Sequence, residues 1–229
     1  MVPHRFGMHE MGSTIDLTAA DGHHLGAYRA GEGGRGIVVI QEIFGVNHHI
    51  RAVCDHFATQ GYAVIAPALF DRAQPGVELG YTQDDVARGA ELRKQVPEAG
   101  TMQDVEAAAH ALGGIPLGIV GYCWGGTISW FGATRSSSFR AASGWYGGGI
   151  AATRTETPHC PVQLHFGELD HGIPLTDVEM IREAQPGVDV FVYEGAGHGF
   201  GCTERPSFNG GARDLALQRT LALFEQHVR

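Results

Sequence analysis

Cysteine and basic residues are scarce in this chain of 229 residues. Its four cysteines are widely spaced and include no C-x-x-C pair, so we expect four free thiols. Lys and Arg number 16 against 25 Asp and Glu and are not clustered, which argues against nucleic acid or an anionic membrane as the main partner. No apolar run approaches the ~18 residues of a membrane span, and the N-terminal residues lack the apolar core of a signal peptide. The sequence therefore predicts a cytoplasmic protein.

Hydrophobic residues make up 43% of the chain, enough to bury one sizeable core. No repeat or linker divides the sequence, so we expect a single domain spanning residues 1–229. The 34 glycines follow no period and cluster between apolar runs, which is typical of a fold with many turns between strands and helices.

Apolar segments of two kinds alternate along the chain. Short β-branched runs are typical of strands buried on both faces, and segments with apolar residues every three or four positions are typical of helices. We predict a hairpin at 14–18 and 24–29, strands at 36–41, 62–66, 117–120, 141–146, 162–166 and 188–193, and helices from Asn47 to about Gly61 and at 82–96, 101–112, 124–133, 175–184 and 213–227. This alternation predicts an α/β fold with a mostly parallel central sheet flanked by helices on both faces.

The sharpest local motif is G-Y-C-W-G-G at residues 121–126, where a buried strand meets a helix. It matches the nucleophile-elbow pattern G-x-S-x-G, with cysteine in place of serine. The nucleophile of an elbow lies in a strained turn, and glycines beside it prevent a Cβ from clashing with neighbouring backbone. The following helix N-terminus favours a thiolate and offers backbone N–H groups to an oxyanion. Cys123 is therefore the candidate nucleophile, the alternative being a buried cysteine in a glycine-rich corner.

An elbow needs an acid and then a histidine later in the chain. Asp170 follows one predicted strand and His198 follows the next, so both lie at carboxyl ends of parallel strands, where sites of open α/β sheets are found. Glu168 and His171 are the nearest rivals, but the Asp before His-Gly-x-Pro fits the loop better. We predict a Cys123–His198–Asp170 triad.

Glu42 is unusual because it ends an apolar strand, where an unpaired carboxylate would be costly. It either caps the loop at residues 44–47 or faces the thiol as a second carboxylate. The next residue, Ile43, lies where folds with a nucleophile elbow supply a second oxyanion-hole N–H.

The remaining histidines and aromatic residues have simpler interpretations. The pairs His23-His24 and His48-His49 suggest metal binding, but no third ligand is implied, and we interpret them as solvated; no metal site is predicted. Aromatic residues at four positions most simply build the core: Trp130, Phe131, Trp145 and Phe224. Trp145 and Tyr146 also end a strand near the elbow and, with Phe200, are candidates to line the substrate pocket.

These motifs, in this order, resemble the dienelactone hydrolases (carboxymethylenebutenolidases), which have the α/β-hydrolase fold. The resemblance rests on Q-E-I-F-G-V-N at 41–47, the elbow at 121–126, G-E-L-D-H-G-I-P at 167–174, and Y-E followed by G-H at 193–198. It implies that Cys123 is the nucleophile, His198 the base and acid, and Asp170 the residue that orients His198. It further implies that Glu42 helps to form the thiolate, and that the N–H groups of Ile43 and Trp124 form the oxyanion hole.

The resemblance also implies two arginines that hold a substrate carboxylate. Arg88 is the expected counterpart of one, whereas Cys202 stands where the family has the other. Arg205 is near enough in sequence to substitute for it. This departure leaves the chemistry intact but puts the substrate in doubt.

The sequence thus predicts a hydrolase that opens a small lactone or ester through a thioester acyl-enzyme, without a metal or organic cofactor. A broader carboxylesterase or thioesterase on the same scaffold is the enzymatic alternative. A binding or redox-sensing protein that uses a reactive Cys123 is the non-enzymatic one. The oligomeric state is left open, and a monomer is compatible with the sequence.

Overall fold

The computed structural model describes residues 11–229, which form one sheet with helices packed against it. Its strands are β1 (Ser13–Thr18), β2 (His24–Ala30), β3 (Gly36–Ile40), β4 (Ala63–Pro67), β5 (Leu117–Tyr122), β6 (Phe139–Trp145), β7 (Val162–Gly167) and β8 (Asp189–Tyr193). Its α-helices are α1 (His48–Thr59), α2 (Gln83–Gln95), α3 (Glu98–Ala111), α4 (Trp124–Arg135), α5 (Leu175–Ala184) and α6 (Gly210–His227). Short 3-10 helices lie at Leu69–Arg72 and Ala151–Thr153, which the sequence did not predict.

The strands follow the order β1-β2-β4-β3-β5-β6-β7-β8. The hairpin of β1 and β2 pairs antiparallel, as does β2 with β4, and every other pairing is parallel. All residues of β3, β4 and β5 are buried, as their uniformly apolar sequences predicted. Helix α3 packs beside α4, and α1 meets α6 through the rings of Phe57 and Phe224. The predicted mostly parallel α/β architecture is confirmed.

Every predicted helix and strand is present within three residues of its expected bounds. The largest differences are at α3 and α6, which both begin three residues earlier than predicted. The Asn209 side chain accepts a hydrogen bond from the N–H of Ala212 and so starts α6 before two glycines that conceal the helix in the sequence. In α3 the helix starts directly after Pro97, at residues that carry little apolar periodicity.

The predicted core aromatic residues are buried, and Trp130 and Phe224 have no exposed surface. All four cysteines are free thiols. Within residues 11–229, no helix combines the length and apolarity needed to span a bilayer.

Candidate active site

Cys123 lies in the turn between β5 and α4 and has a strained backbone. Its φ of 56° and ψ of −115° are in a region that side chains other than glycine rarely adopt. The turn is held by a 3.0 Å hydrogen bond from the N–H of Cys123 to the carbonyl of Trp145. Neighbouring backbone leaves no room for side chains, since a Cβ at Gly121 would lie 2.0 Å from the carbonyl oxygen of Gly125. The motif at residues 121–126 therefore has the geometry of an elbow.

His198 lies in the loop after β8 and connects Cys123 to Asp170. Its Nδ1 is 2.7 Å from Oδ2 of Asp170, whose Oδ1 accepts a 2.9 Å hydrogen bond from the N–H of Gly172. Burial alone would lower the pKa of His198, but its hydrogen bonds to Asp170 and Cys123 outweigh burial and raise the pKa to about 10. The structure thus places a proton acceptor between the thiol and a buried carboxylate.

The other acidic and basic groups of the Asp170 loop lie elsewhere. Glu168 is exposed and accepts a 2.9 Å hydrogen bond from the N–H of Gly195, which ties two loops together. His171 is exposed. Of the three groups considered from sequence, Asp170 is the one that contacts His198.

Two backbone N–H groups are available for an oxyanion. Trp124 is the first residue of α4, and Ile43 follows the end of β3. Neither N–H finds a hydrogen-bond acceptor in the described part of the chain. The start of α4 packs on the end of β3, because a Cβ at Gly125 would lie 2.4 Å from the carbonyl oxygen of Ile40. This packing brings the two segments that carry these N–H groups together.

A cleft of about 320 Å³ opens at Cys123 and His198. Its other lining residues are small, apolar or basic: Arg93, Trp124, Thr127, Gly148, Gly149, Gly172 and Ile173. Arg88, the expected anchor for a carboxylate, does not line the cleft; it is exposed and donates a hydrogen bond to Gln74. Arg93 lies five residues further along α2, which turns it by about 140° around the helix. Arg93 was not predicted from the sequence, because no pattern in α2 distinguished the two arginines.

The aromatic residues expected at the pocket lie behind the catalytic groups instead. Trp145 is buried, donates from Nε1 to Ser143 and Thr220, and stacks on Phe200 at 5.6 Å. The buried Tyr146 ring meets the His198 ring edge to face at 5.1 Å. These three aromatic residues do not line the cleft, and Tyr146 packs against the imidazole of His198.

Glu42 is buried, with 1% of its surface exposed, and forms an ion pair with Arg205. Arg205 Nη1 donates to Oε1 at 3.1 Å, whereas Oε2 has no partner in the described residues. Burial raises the pKa of Glu42 despite the opposing effect of Arg205. The loop-capping alternative is not supported, because the side chain of Asn47 caps α1 by accepting from the N–H of Ile50.

Arg205, rather than Cys202, brings a cation to this part of the site. Its guanidinium packs so closely on Gly199 that a Cβ there would lie 2.4 Å from Nη1. Burial would lower the pKa of Arg205, but neighbouring Glu42 and other acidic groups, including Cys123, raise it. Cys202 is fully buried, does not line the cleft and is hydrogen-bonded to Tyr81.

One interpretation of the histidine pairs is wrong. His48 is exposed and pairs with Glu204 at 2.6 Å, but His49 is 2% exposed and lies inside the molecule. Both belong to the first turn of α1, where adjacent residues point about 100° apart, so one faces solvent and the next faces the core.

The chain is similar to known proteins along most of its length. Residues 25–228 match the dienelactone hydrolase family. A carboxymethylenebutenolidase from Pseudomonas putida is 34% identical over 225 residues, covering 90% of this chain and 93% of that protein. A Synechocystis protein provisionally named a carboxymethylenebutenolidase is 36% identical over 213 residues, covering 84% of this chain and 86% of its own length.

A solved structure also shares the fold. A Klebsiella pneumoniae protein provisionally named a dienelactone hydrolase superimposes with a TM-score of 0.79 at 32% identity, over 94% of this chain and 100% of the other. The chain therefore belongs to the dienelactone hydrolase family and is a hydrolase that acts on ester or lactone bonds.

Proposed function

We propose that the protein opens a small ester or lactone with Cys123 as nucleophile, His198 as base and acid, and Asp170 as the group that orients His198. One observation carries the proposal: Cys123 at the strained elbow and His198 line the same cleft, and Nδ1 of His198 lies 2.7 Å from Oδ2 of the buried Asp170. A nucleophile, a base and a group that orients the base are the parts that acyl transfer requires.

In the first half of the reaction, Cys123 reacts as a thiolate whose proton is held on Nε2 of His198, because Asp170 occupies Nδ1. The sulfur then attacks the carbonyl carbon, and the carbonyl electron pair moves to oxygen. The N–H groups of Ile43 and Trp124 stabilise this oxyanion, each by ~3 kcal/mol. The carbon–oxygen bond of the ester then breaks, His198 returns its proton to the leaving oxygen, and a thioester forms on Cys123.

In the second half, His198 takes a proton from water, and the resulting hydroxyl attacks the thioester carbonyl. The tetrahedral species collapses, the carbon–sulfur bond breaks, and the acid product leaves the Cys123 sulfur as a thiolate beside the protonated His198. No step requires a metal or an organic cofactor. Cysteine suits an activated ester, since its leaving group needs less protonation than that of an amide.

Glu42 is proposed to assist the first step as a second carboxylate, which lies outside the cleft lining but is acted on by the charge of His198. Its unpartnered Oε2 supports this role, because the buried carboxylate has an acceptor free after pairing with Arg205. Its raised pKa makes Glu42 a better proton acceptor than an ordinary surface carboxylate.

Substrate recognition is proposed to rest on Arg93 rather than on Arg88. Arg93 is the arginine of the cleft lining, and its guanidinium can pair with a carboxylate on an ester bound at Cys123. Arg205 is already paired with Glu42, so it is available to a substrate only if that ion pair opens.

This arrangement also favours the broader carboxylesterase as a second candidate. A cleft with one exposed arginine selects less strongly for a carboxylated lactone than a site with two. Rates with a carboxylated lactone and with short neutral esters distinguish the two candidates.

Trapping of the acyl-enzyme tests the mechanism. The protein is mixed with a slowly turned-over ester and quenched in acid, and its peptides are then analysed by mass spectrometry. We expect the acyl mass on the peptide that contains Cys123, and we expect hydroxylamine to remove it, as it removes a thioester. An acyl group on another residue, or none during steady turnover, would contradict the mechanism.

A further inference from the structure

A compact group of three buried side chains lies apart from the Cys123 cleft. Glu42, His49 and Cys202 each place one ligand-type atom within 4.8 Å of the other two, and we call them the inner cluster. The side chains come from the second residue after β3, the first turn of α1 and the loop after β8. All three are at most 2% exposed. Three segments that are distant in sequence therefore bring these side chains together in the interior of the protein.

The hydrogen bonds of the inner cluster leave two of its polar atoms without a partner in the described part of the chain. His49 Nε2 and Glu42 Oε2 are buried and have no partner among the described residues. Buried polar atoms are nearly always paired, since leaving one unpaired costs about 1–3 kcal/mol. Two unpaired atoms in one cluster point to a ligand that satisfies both.

The donor atoms suit a borderline-soft cation. Imidazole nitrogen, thiolate sulfur and carboxylate oxygen are the three ligand types of protein zinc sites. Burial lowers the pKa of His49 to about 3, so its imidazole is neutral and offers a lone pair over the working range. The carboxylate of Glu42 and the thiolate of Cys202 bring two negative charges to a divalent ion, and the first of these is shared with Arg205.

Outer contacts already hold two of the three ligands. Arg205 donates to Glu42, and Tyr81, which itself accepts a 3.1 Å hydrogen bond from Asn47, is hydrogen-bonded to Cys202. Such outer partners orient the ligands of metal sites. The exposed ion pair of His48 and Glu204 joins the two segments that carry His49 and Cys202.

We propose that Glu42, His49 and Cys202 form a zinc site with three protein ligands and a fourth position for water. Binding forms a Zn–S bond and releases the Cys202 thiol proton to the solvent, without oxidation or reduction. Because binding displaces the thiol proton, zinc affinity increases with pH. A bound ion would also hold Glu42 away from Cys123; this consequence rests on the proposed role of Glu42, whereas zinc binding does not.

Cobalt and zinc titrations test the site without measuring turnover. The reduced, chelator-treated Cys123→Ala protein is used, so that the nucleophile contributes no thiolate. We expect one equivalent of Co²⁺ to produce a near-ultraviolet thiolate-to-cobalt band, which Zn²⁺ removes. Zinc affinity is measured by competition with a chromophoric chelator, after long incubation because the cluster is buried.

Variants in the same background locate the ligands. Cys202→Ser should abolish the band, and His49→Gln should weaken zinc binding about tenfold or more. Cys160→Ser and His24→Ala are matched controls away from the cluster and should bind as the parent does. Circular dichroism verifies folding, and His49→Gln provides the test if Cys202→Ser does not fold. An absent band, a band that survives Cys202→Ser, or affinity unchanged by His49→Gln would overturn the proposal.

Discussion

Cys123 and Cys202 are two thiols near the carboxyl edge of the same sheet, and their surroundings differ in nearly every respect. Cys123 is half-buried at the start of α4 and lines an open cleft together with His198. Cys202 is fully buried, and burial together with Glu42 raises its pKa to about 12. A helix N-terminus and a neighbouring imidazole favour a thiolate, whereas a dry site beside a carboxylate opposes it. The comparison shows that placement, rather than residue type, separates a candidate nucleophile from an inert thiol or a metal ligand.

The largest expected effect is the loss of turnover in Cys123→Ala. Removing a nucleophile should lower kcat for ester hydrolysis on the order of 10⁴-fold or more. Cys160→Ala is the matched control, since Cys160 lies outside the cleft lining and should tolerate the change. Initial rates at saturating ester measure both variants. If Cys123→Ala keeps a substantial fraction of wild-type kcat, Cys123 is not the nucleophile, and the proposed contrast between Cys123 and Cys202 fails.

Asp170→Asn should have the next largest effect. An amide can hold His198 in the wrong tautomer and cannot stabilise its charge, so kcat should fall about 10³–10⁴-fold. Glu168→Gln on the same loop is the control, because Glu168 contacts Gly195 rather than His198. Equal losses in the two variants would mean that loop structure, rather than the carboxylate on His198, supports turnover.

Alkylation compares the two thiols directly. At about pH 8 the Cys202 thiolate is roughly one ten-thousandth of the total, because its pKa is about 12. Iodoacetamide should therefore label Cys123 at least about a hundredfold faster than Cys202, as measured by peptide mass spectrometry over time. In denaturant both peptides should react at similar rates. Comparable alkylation rates of Cys123 and Cys202 in the folded protein would contradict the proposed difference in their reactivity.

The pair of His198 and Asp170 should make stability depend on pH. The pKa of His198 is raised from 6.5 to about 10 in the folded chain, so the protonated imidazole stabilises the fold. This contribution is complete below pH 6.5 and is lost as the pH rises through about 10. Wild type should exceed His198→Gln by about 2 kcal/mol in free energy of unfolding at low pH, and the difference should shrink above pH 10. Urea titrations at several pH values measure it, with exposed His110→Gln as control. A difference independent of pH would contradict the assigned pKa shift.

The smallest expected effect concerns the cleft beside Cys123. Arg93→Ala should raise KM for a carboxylated ester about three- to tenfold, because an exposed charge-assisted contact contributes little more. Neutral esters should be unaffected. Arg88→Ala is the matched control, since Arg88 contacts Gln74 outside the cleft. If Arg88→Ala raises KM and Arg93→Ala does not, then Arg88 binds the substrate carboxylate, as predicted from the sequence.

Local sequence patterns predict best the positions of residues whose surroundings are set by their neighbours in the chain or by the order of the strands. The elbow could be predicted because its glycines are close to Cys123 in the sequence. At each of them, a Cβ would clash with neighbouring backbone. Asp170 and His198 could be predicted because parallel strands bring their carboxyl ends to one edge, whatever the details of packing.

Residues that depend on helix rotation or on distant segments could not be placed in the same way. Arg88 and Arg93 have the same chemistry on one helix, and only the packing of α2 decides which one reaches the cleft. His49 seemed equivalent to His48 in sequence, but its burial depends on the elements that carry Glu42 and Cys202. Arg205 reaches Glu42 across 163 positions, a separation that no local periodicity encodes.

The strained backbone of Cys123 has a consequence for how this protein balances activity against robustness. A residue other than glycine at φ 56° costs about 1–3 kcal/mol, which the rest of the fold must offset. Glycine would adopt the same turn without that cost, so an inactive protein could be the more stable one. Under the proposed mechanism, selection for folding alone would favour glycine here, and the demand for hydrolysis is what retains a side chain at this turn.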